Sequence, residues 1–108
     1  MGGMPMMKTY DSIVSTVTKH AVELCSPFRV YLVSEKRSSK GSLNGFKLCL
    51  IVPDDKDPES VETELLINID TPVPCDYIVY NLSDWNECVD DDATFAYRIE
   101  NSGELLYE

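Results

Sequence analysis

The sequence predicts a small α/β (α+β) domain in which a mixed sheet is flanked by helices. Three observations carry that expectation. The chain has 108 residues, 44% of them hydrophobic, which suits one domain and leaves too little apolar surface for two. Its apolar residues switch between helical spacing and short runs of β-branched and aromatic side chains. Proline, glycine and serine separate these runs.

Thr9 or Asp11 is placed to cap a helix reaching about Cys25, with Ile13, Val14, Val17, Ala21, Val22 and Leu24 on one stripe. Ser26-Pro27 ends it, because the residue before a proline is pushed out of helical conformation. Residues 28–33 (FRVYLV) read as a strand, and the polar stretch 34–45 as a loop or a short frayed helix. Residues 46–52 (FKLCLIV) form a second strand, apolar on both faces towards its end and therefore central. After a turn at 53–58 (PDDKDP), residues 59–69 read as a helix with Val61, Leu65, Leu66 and Ile69 on one face and acids in its first turn. Residues 71–74 (TPVP) break the chain before a third strand at 75–80 (CDYIVY). Asn81 is placed to cap a short helix, with Asp84 three residues on. Asp91 or Asp92 starts another helix, Gly103 stops it, and residues 105–107 form a last short strand. Residues 1–8 are expected to be a disordered tail ahead of a single domain, 9–108.

Charge and cysteine content exclude several classes. Nineteen acids against nine bases give a formal net charge of -10, which repels a polyphosphate and makes nucleic acid an unfavourable partner. The charge is uneven: residues 28–47 hold five bases and one acid, a local +4, whereas 57–108 hold 14 acids and one base. The longest clean apolar run, 48–52, is far short of the roughly 20 residues that cross a bilayer. MGGMPMM has no basic segment ahead of a hydrophobic stretch, so it does not read as a signal peptide. Cys25, Cys49, Cys75 and Cys88 are separated by 24, 26 and 13 residues, without the close pairs of a zinc site. Buried reduced thiols and a cytoplasmic location are the expectation.

Few residues suggest chemistry. His20 has no nearby nucleophile or second base in the sequence. Trp85 and Phe95 are expected to pack in the core or against a helix rather than stack on a ligand, and Asp90 to Asp92 to cap a helix. Ser34, Lys36, Arg37, Lys40 and Lys47 are candidates for an anion or nucleotide site, the alternative being a loop whose charges keep it solvated. Asp76 stands either as a solvent-facing residue at a strand end or as the survivor of a carboxylate cluster.

The stretch CDYIVYNLSDWNECVDDDATFAYRIENSGELLYE resembles the end of the small bacterial nucleotidyltransferase domains, the minimal branch of the DNA polymerase beta-like superfamily. Asp76, Tyr80, Trp85, Asp91, Phe95, Ile99, Gly103, Leu106, Tyr107 and Glu108 fall at the family's places without a gap. Upstream, VYLV, twelve residues and FKLCLIV match the family's first two strands in length and spacing, so the resemblance covers about 10–108. It implies a nucleotidyltransferase-like fold, two Mg²⁺ ions held by an Asp-x-Asp at the head of the second strand with a third carboxylate on the next, and a Gly-Ser turn that cradles a triphosphate.

The sequence departs from that pattern at the chemistry. Ser34-Glu35 replaces the Gly-Ser turn, and the gap-free comparison puts the two metal-binding positions on Phe46 and Leu48. Asn44 is the nearest polar alternative, no acid occurs between Glu35 and Asp54, and Asp76 alone remains. The expectation is therefore a degenerate, non-catalytic member needing no cofactor. It would serve as an interaction module, an antitoxin-like partner of a HEPN-type protein or of its own copies. The alternatives are an active Mg-dependent nucleotidyltransferase with other metal ligands, using Mg²⁺ and a nucleoside triphosphate, or a metal-independent nucleotide or phosphate sensor.

Overall fold

The computed structural model describes residues 12–108, so the Thr9 or Asp11 cap and the tail at 1–8 lie outside the described residues. The element order is α1 (Ser12–Cys25), β1 (Arg29–Arg37), β2 (Leu43–Val52), α2 (Pro58–Asn68), β3 (Cys75–Asn81), α3 (Leu82–Cys88), α4 (Phe95–Ser102) and β4 (Glu104–Tyr107). The strands make one mixed sheet in the order β3-β2-β1-β4. β2 runs antiparallel to β1 and parallel to β3, and β4 closes the other side antiparallel to β1. The parallel pair needs a crossover, which α2 supplies.

β2 is buried along 48–52 on both faces, as a central strand must be. On one face Leu48, Leu50 and Val52 pack with Val14, Val17 and Ala21 of α1 and Val61 and Leu65 of α2. On the other, Cys49 and Ile51 pack with Tyr31, Trp85 of α3 and Ala96 and Ile99 of α4. Trp85 stacks on Tyr31 at 5.6 Å between ring centroids and meets Tyr80 edge-on at 5.4 Å. The Tyr31 hydroxyl donates to Glu100 Oε1 at 2.5 Å, tying α4 to the sheet. The result is a three-layer α/β/α arrangement.

Helix ends follow local chemistry. Ser26 follows α1 at φ 47°, in the left-handed region, and its N–H bonds the Val22 carbonyl at 3.0 Å. Lys56 Nζ donates to the Cys25 carbonyl at 2.7 Å, placing a cation at the negative end of α1. Asp57 caps α2 through Ser60 N–H with Pro58 in the first turn, and Asn81 caps α3 through Asp84 N–H. Gly103 ends α4 because a Cβ there would lie 2.7 Å from the Ile99 carbonyl oxygen.

Two expectations are corrected. Residues 34–45 are not a loop or a frayed helix: both strands continue outward, and the hairpin turns at 38–42 around Gly41, whose φ is 87°. Ser38 N–H closes it on the Ser42 carbonyl at 2.9 Å. Residues 34–37 of β1 are exposed and lack the apolar alternation that marks a half-buried strand, while Leu43 of β2 still packs in the α1–α2 core. The cap of α4 is Thr94, which accepts from Tyr97 N–H, and not Asp91 or Asp92; Asp91 instead accepts from Ala93 N–H at 3.0 Å within the preceding turn. Of the two aromatic residues expected to pack, Trp85 is buried in the core, and Phe95 is 64% exposed on α4 with the Arg98 guanidinium 5.8 Å from its centroid. All four cysteines are free thiols, three of them buried and Cys88 half-buried.

Candidate functional site

The irregular pairing of β1 decides which side chains meet. Leu32 pairs with Leu48, but Ser34 pairs with Lys47, leaving Val33 as the extra residue of a bulge. Lys36 then faces Gly45, and on the other side of β2, Asp76 of β3 faces Lys47. Ser34, Lys47 and Asp76 thus form a row across three strands, each within one cross-strand spacing of the next. The row continues the face that carries Tyr31, Cys49 and Ile78 under α3 and α4. Those helices stop short of it, and a polar pocket of about 160 Å³ opens there.

Lys36, Gly45 and Pro74 complete its walls, with Asn44 and Phe46 alongside. The Pro74 carbonyl accepts Phe46 N–H at 3.1 Å and would meet a Cβ on residue 45 at 3.3 Å, so glycine lets the strand and the 71–74 segment close together. Among the described residues neither Lys36 nor Lys47 has an ion-pair partner. Two ammonium groups, one hydroxyl and one carboxylate give the pocket a balance of +1 within a strongly acidic molecule. Its size admits a phosphate or carboxylate group.

No family model, no curated protein and no solved structure matches the chain. The site is therefore read from its own residues. Of the candidate anion-binding residues, the fold gathers Ser34, Lys36 and Lys47 with Asp76. It leaves Arg37 and Lys40 apart. Arg37 pairs with Glu35 at 2.9 Å and donates to the Gly41 carbonyl at 2.9 Å, bracing the hairpin, and Lys40 lies exposed in its turn. His20 is exposed on α1. Gly45 and Pro74 were not legible as site residues, since a glycine inside a strand signals only close backbone approach and not what approaches.

The donor set does not fit a pair of magnesium ions. Phe46 and Leu48 are buried on the α1–α2 face, opposite to Asp76, so even carboxylates at 46 and 48 would not converge with it. The β2 positions on the same face as Asp76 are Gly45 and Lys47. Magnesium requires hard oxygen ligands, and here one carboxylate faces an ammonium. Among the described residues no three His, Cys, Asp or Glu side chains gather as a metal site.

Proposed function

We propose that this chain is a degenerate nucleotidyltransferase-like domain that has lost nucleotidyl transfer and acts in the cytoplasm as an interaction module. Its partner is a protein, of HEPN type or a second copy, as the resemblance of residues 10–108 suggests. One observation carries the non-catalytic part. The positions of β2 that share a face with Asp76 hold a glycine and a lysine, and an ammonium repels the cation that transfer chemistry needs. Support for a protein partner comes from Leu66 and Ile67, exposed side by side on α2. No helix among the described residues is long and apolar enough to cross a membrane.

Titration calorimetry with Mg²⁺-ATP tests the reading. The expected result is no metal-dependent heat; micromolar, Mg²⁺-dependent affinity that Asp76→Ala abolishes would overturn it and restore the active transferase. A second reading has its own support, because Lys36, Lys47 and Ser34 line one pocket. Under it, inorganic phosphate or ATP binds without metal, and Lys47→Ala removes the binding.

A further inference from the structure

A groove of about 410 Å³ runs between α1 and β4, lined by Val14, Thr18, Val22 and Leu106, with the charged Lys19 and Glu23 beside them. Thr18 is 8% exposed, and its hydroxyl oxygen is buried without a hydrogen-bond partner. β4 is the outer strand of the sheet on this side, so one edge of its backbone has no strand beside it among the described residues. Leu105 and Tyr107 of β4 are exposed along the same edge, where Val30 pairs with Tyr107. An open strand edge joined to exposed apolar side chains is a surface that proteins normally cover.

We propose that two copies of the chain pair along this border about a two-fold axis, β4 against β4 and α1 against α1. This rests on the reading of the chain as an interaction module and names the partner. Antiparallel pairing of the β4 edges extends the sheet and satisfies its outward N–H and C=O groups. Centred on Leu105, it sets that residue against its copy and keeps Glu104 away from Glu108. A two-fold axis normal to the sheet keeps both α1 helices on one side and runs them antiparallel. In such a contact each residue i meeting j is matched by j meeting i. Lys19 and Glu23, one helical turn apart, have no ion-pair partner among the described residues and become complementary to their own copies. The net charge of -10 sets two copies against each other at long range, so the pairing relies on the short-range strand-edge, apolar and Lys19–Glu23 contacts.

Sedimentation velocity of the full chain from low micromolar to millimolar concentration provides the test. The expected result is a concentration-dependent dimer that Lys19→Glu weakens by about tenfold, the scale of two exposed ion pairs turned into repulsions. Lys19→Glu combined with Glu23→Lys restores it, because the exchange rebuilds both contacts. Leu105→Lys, at an exposed position, abolishes it without unfolding the chain. A monomer at millimolar concentration, or a dimer indifferent to Lys19→Glu and Leu105→Lys, overturns the proposal. A monomer that binds a different polypeptide through the same groove also overturns self-pairing while leaving the module reading intact. A dimer with the expected responses that also binds ATP with Mg²⁺ through Asp76 keeps the pairing and removes the non-catalytic reading.

Discussion

Asp54, in the turn after β2, reaches the first turn of α3. Its Oδ1 accepts Ser83 N–H at 2.8 Å and its Oδ2 accepts the Ser83 hydroxyl at 2.5 Å. With Asn81 accepting Asp84 N–H at 2.9 Å, two side chains from different segments satisfy the donors that a helix start leaves open. The Ser83 hydroxyl, then the Ser83 N–H, holds the Asp54 carboxyl below its ordinary value of 3.8. A carboxylate whose folded pKa is depressed adds stability above the unfolded value and loses it as pH falls through the folded one. Asp54→Asn therefore lowers stability at neutral pH and matches the parent chain once pH falls well below 3.8. Urea denaturation of both chains from pH 7 to pH 2 reads this out; a constant difference between them would show that the carboxylate charge plays no part. The same logic of one residue answering another applies at Lys47, whose neighbours in register are Ser34 and Asp76.

At the scale of elements, the β1 bulge and the parallel pairing of β2 with β3 determine what the polar pocket can do. Side chains alternate along a strand, so shifting a comparison by one residue exchanges one sheet face for the other. Gly45→Asp with Lys47→Asp places two carboxylates on the face of Asp76 and is expected to create a Mn²⁺ or Mg²⁺ site, detectable by calorimetry. Pro74 must yield slightly, since its carbonyl lies 3.3 Å from a Cβ at 45. Phe46→Asp with Leu48→Asp instead buries two charges in the α1–α2 core and unfolds the domain, because unpaired buried charge costs several kcal/mol per group. If the 45/47 pair binds no cation while the 46/48 pair folds and binds one, the register of β2 against β3 is wrong. Much of the architecture was legible in the sequence. FRVYLV, FKLCLIV and CDYIVY each form strands, and Asn81 and Gly103 bound helices where their chemistry places them. The hairpin at 34–45 was not, because its β1 half is exposed with serine and charges on both faces, which leaves Leu43 as its one large buried side chain. Nor was the gathering of Ser34, Lys36, Lys47 and Asp76, which depends on one extra residue at Val33 that no periodicity announces.

Taken as a whole, the molecule has two apolar layers that share β1 and β2, and its thiols report on both. Cys25 and Cys75 lie in the α1–α2 layer, Cys49 lies in the α3–α4 layer, and the half-buried Cys88 packs at the edge of the latter. Burial pushes the Cys49 thiol up to about 12 and the Cys75 thiol to about 11, so in the folded chain both remain protonated where an exposed thiol of ordinary value 9.0 is largely ionised. Because these folded values are raised, the stability they contribute is complete below about pH 9 and is lost as pH rises towards 11 and 12. Every residue of β2 from 48 to 52 is buried, alternate side chains entering opposite layers, so neither layer can open without exposing the strand the other needs. One cooperative unit follows. Under native conditions a soluble thiol reagent should modify Cys88 first. Cys25, Cys49 and Cys75 should then follow at a single common rate that rises with denaturant as global unfolding does. Faster labelling of Cys25 and Cys75 than of Cys49, with its own denaturant dependence, would mean that the α1–α2 layer detaches by itself. The shared strands would then not couple the two cores.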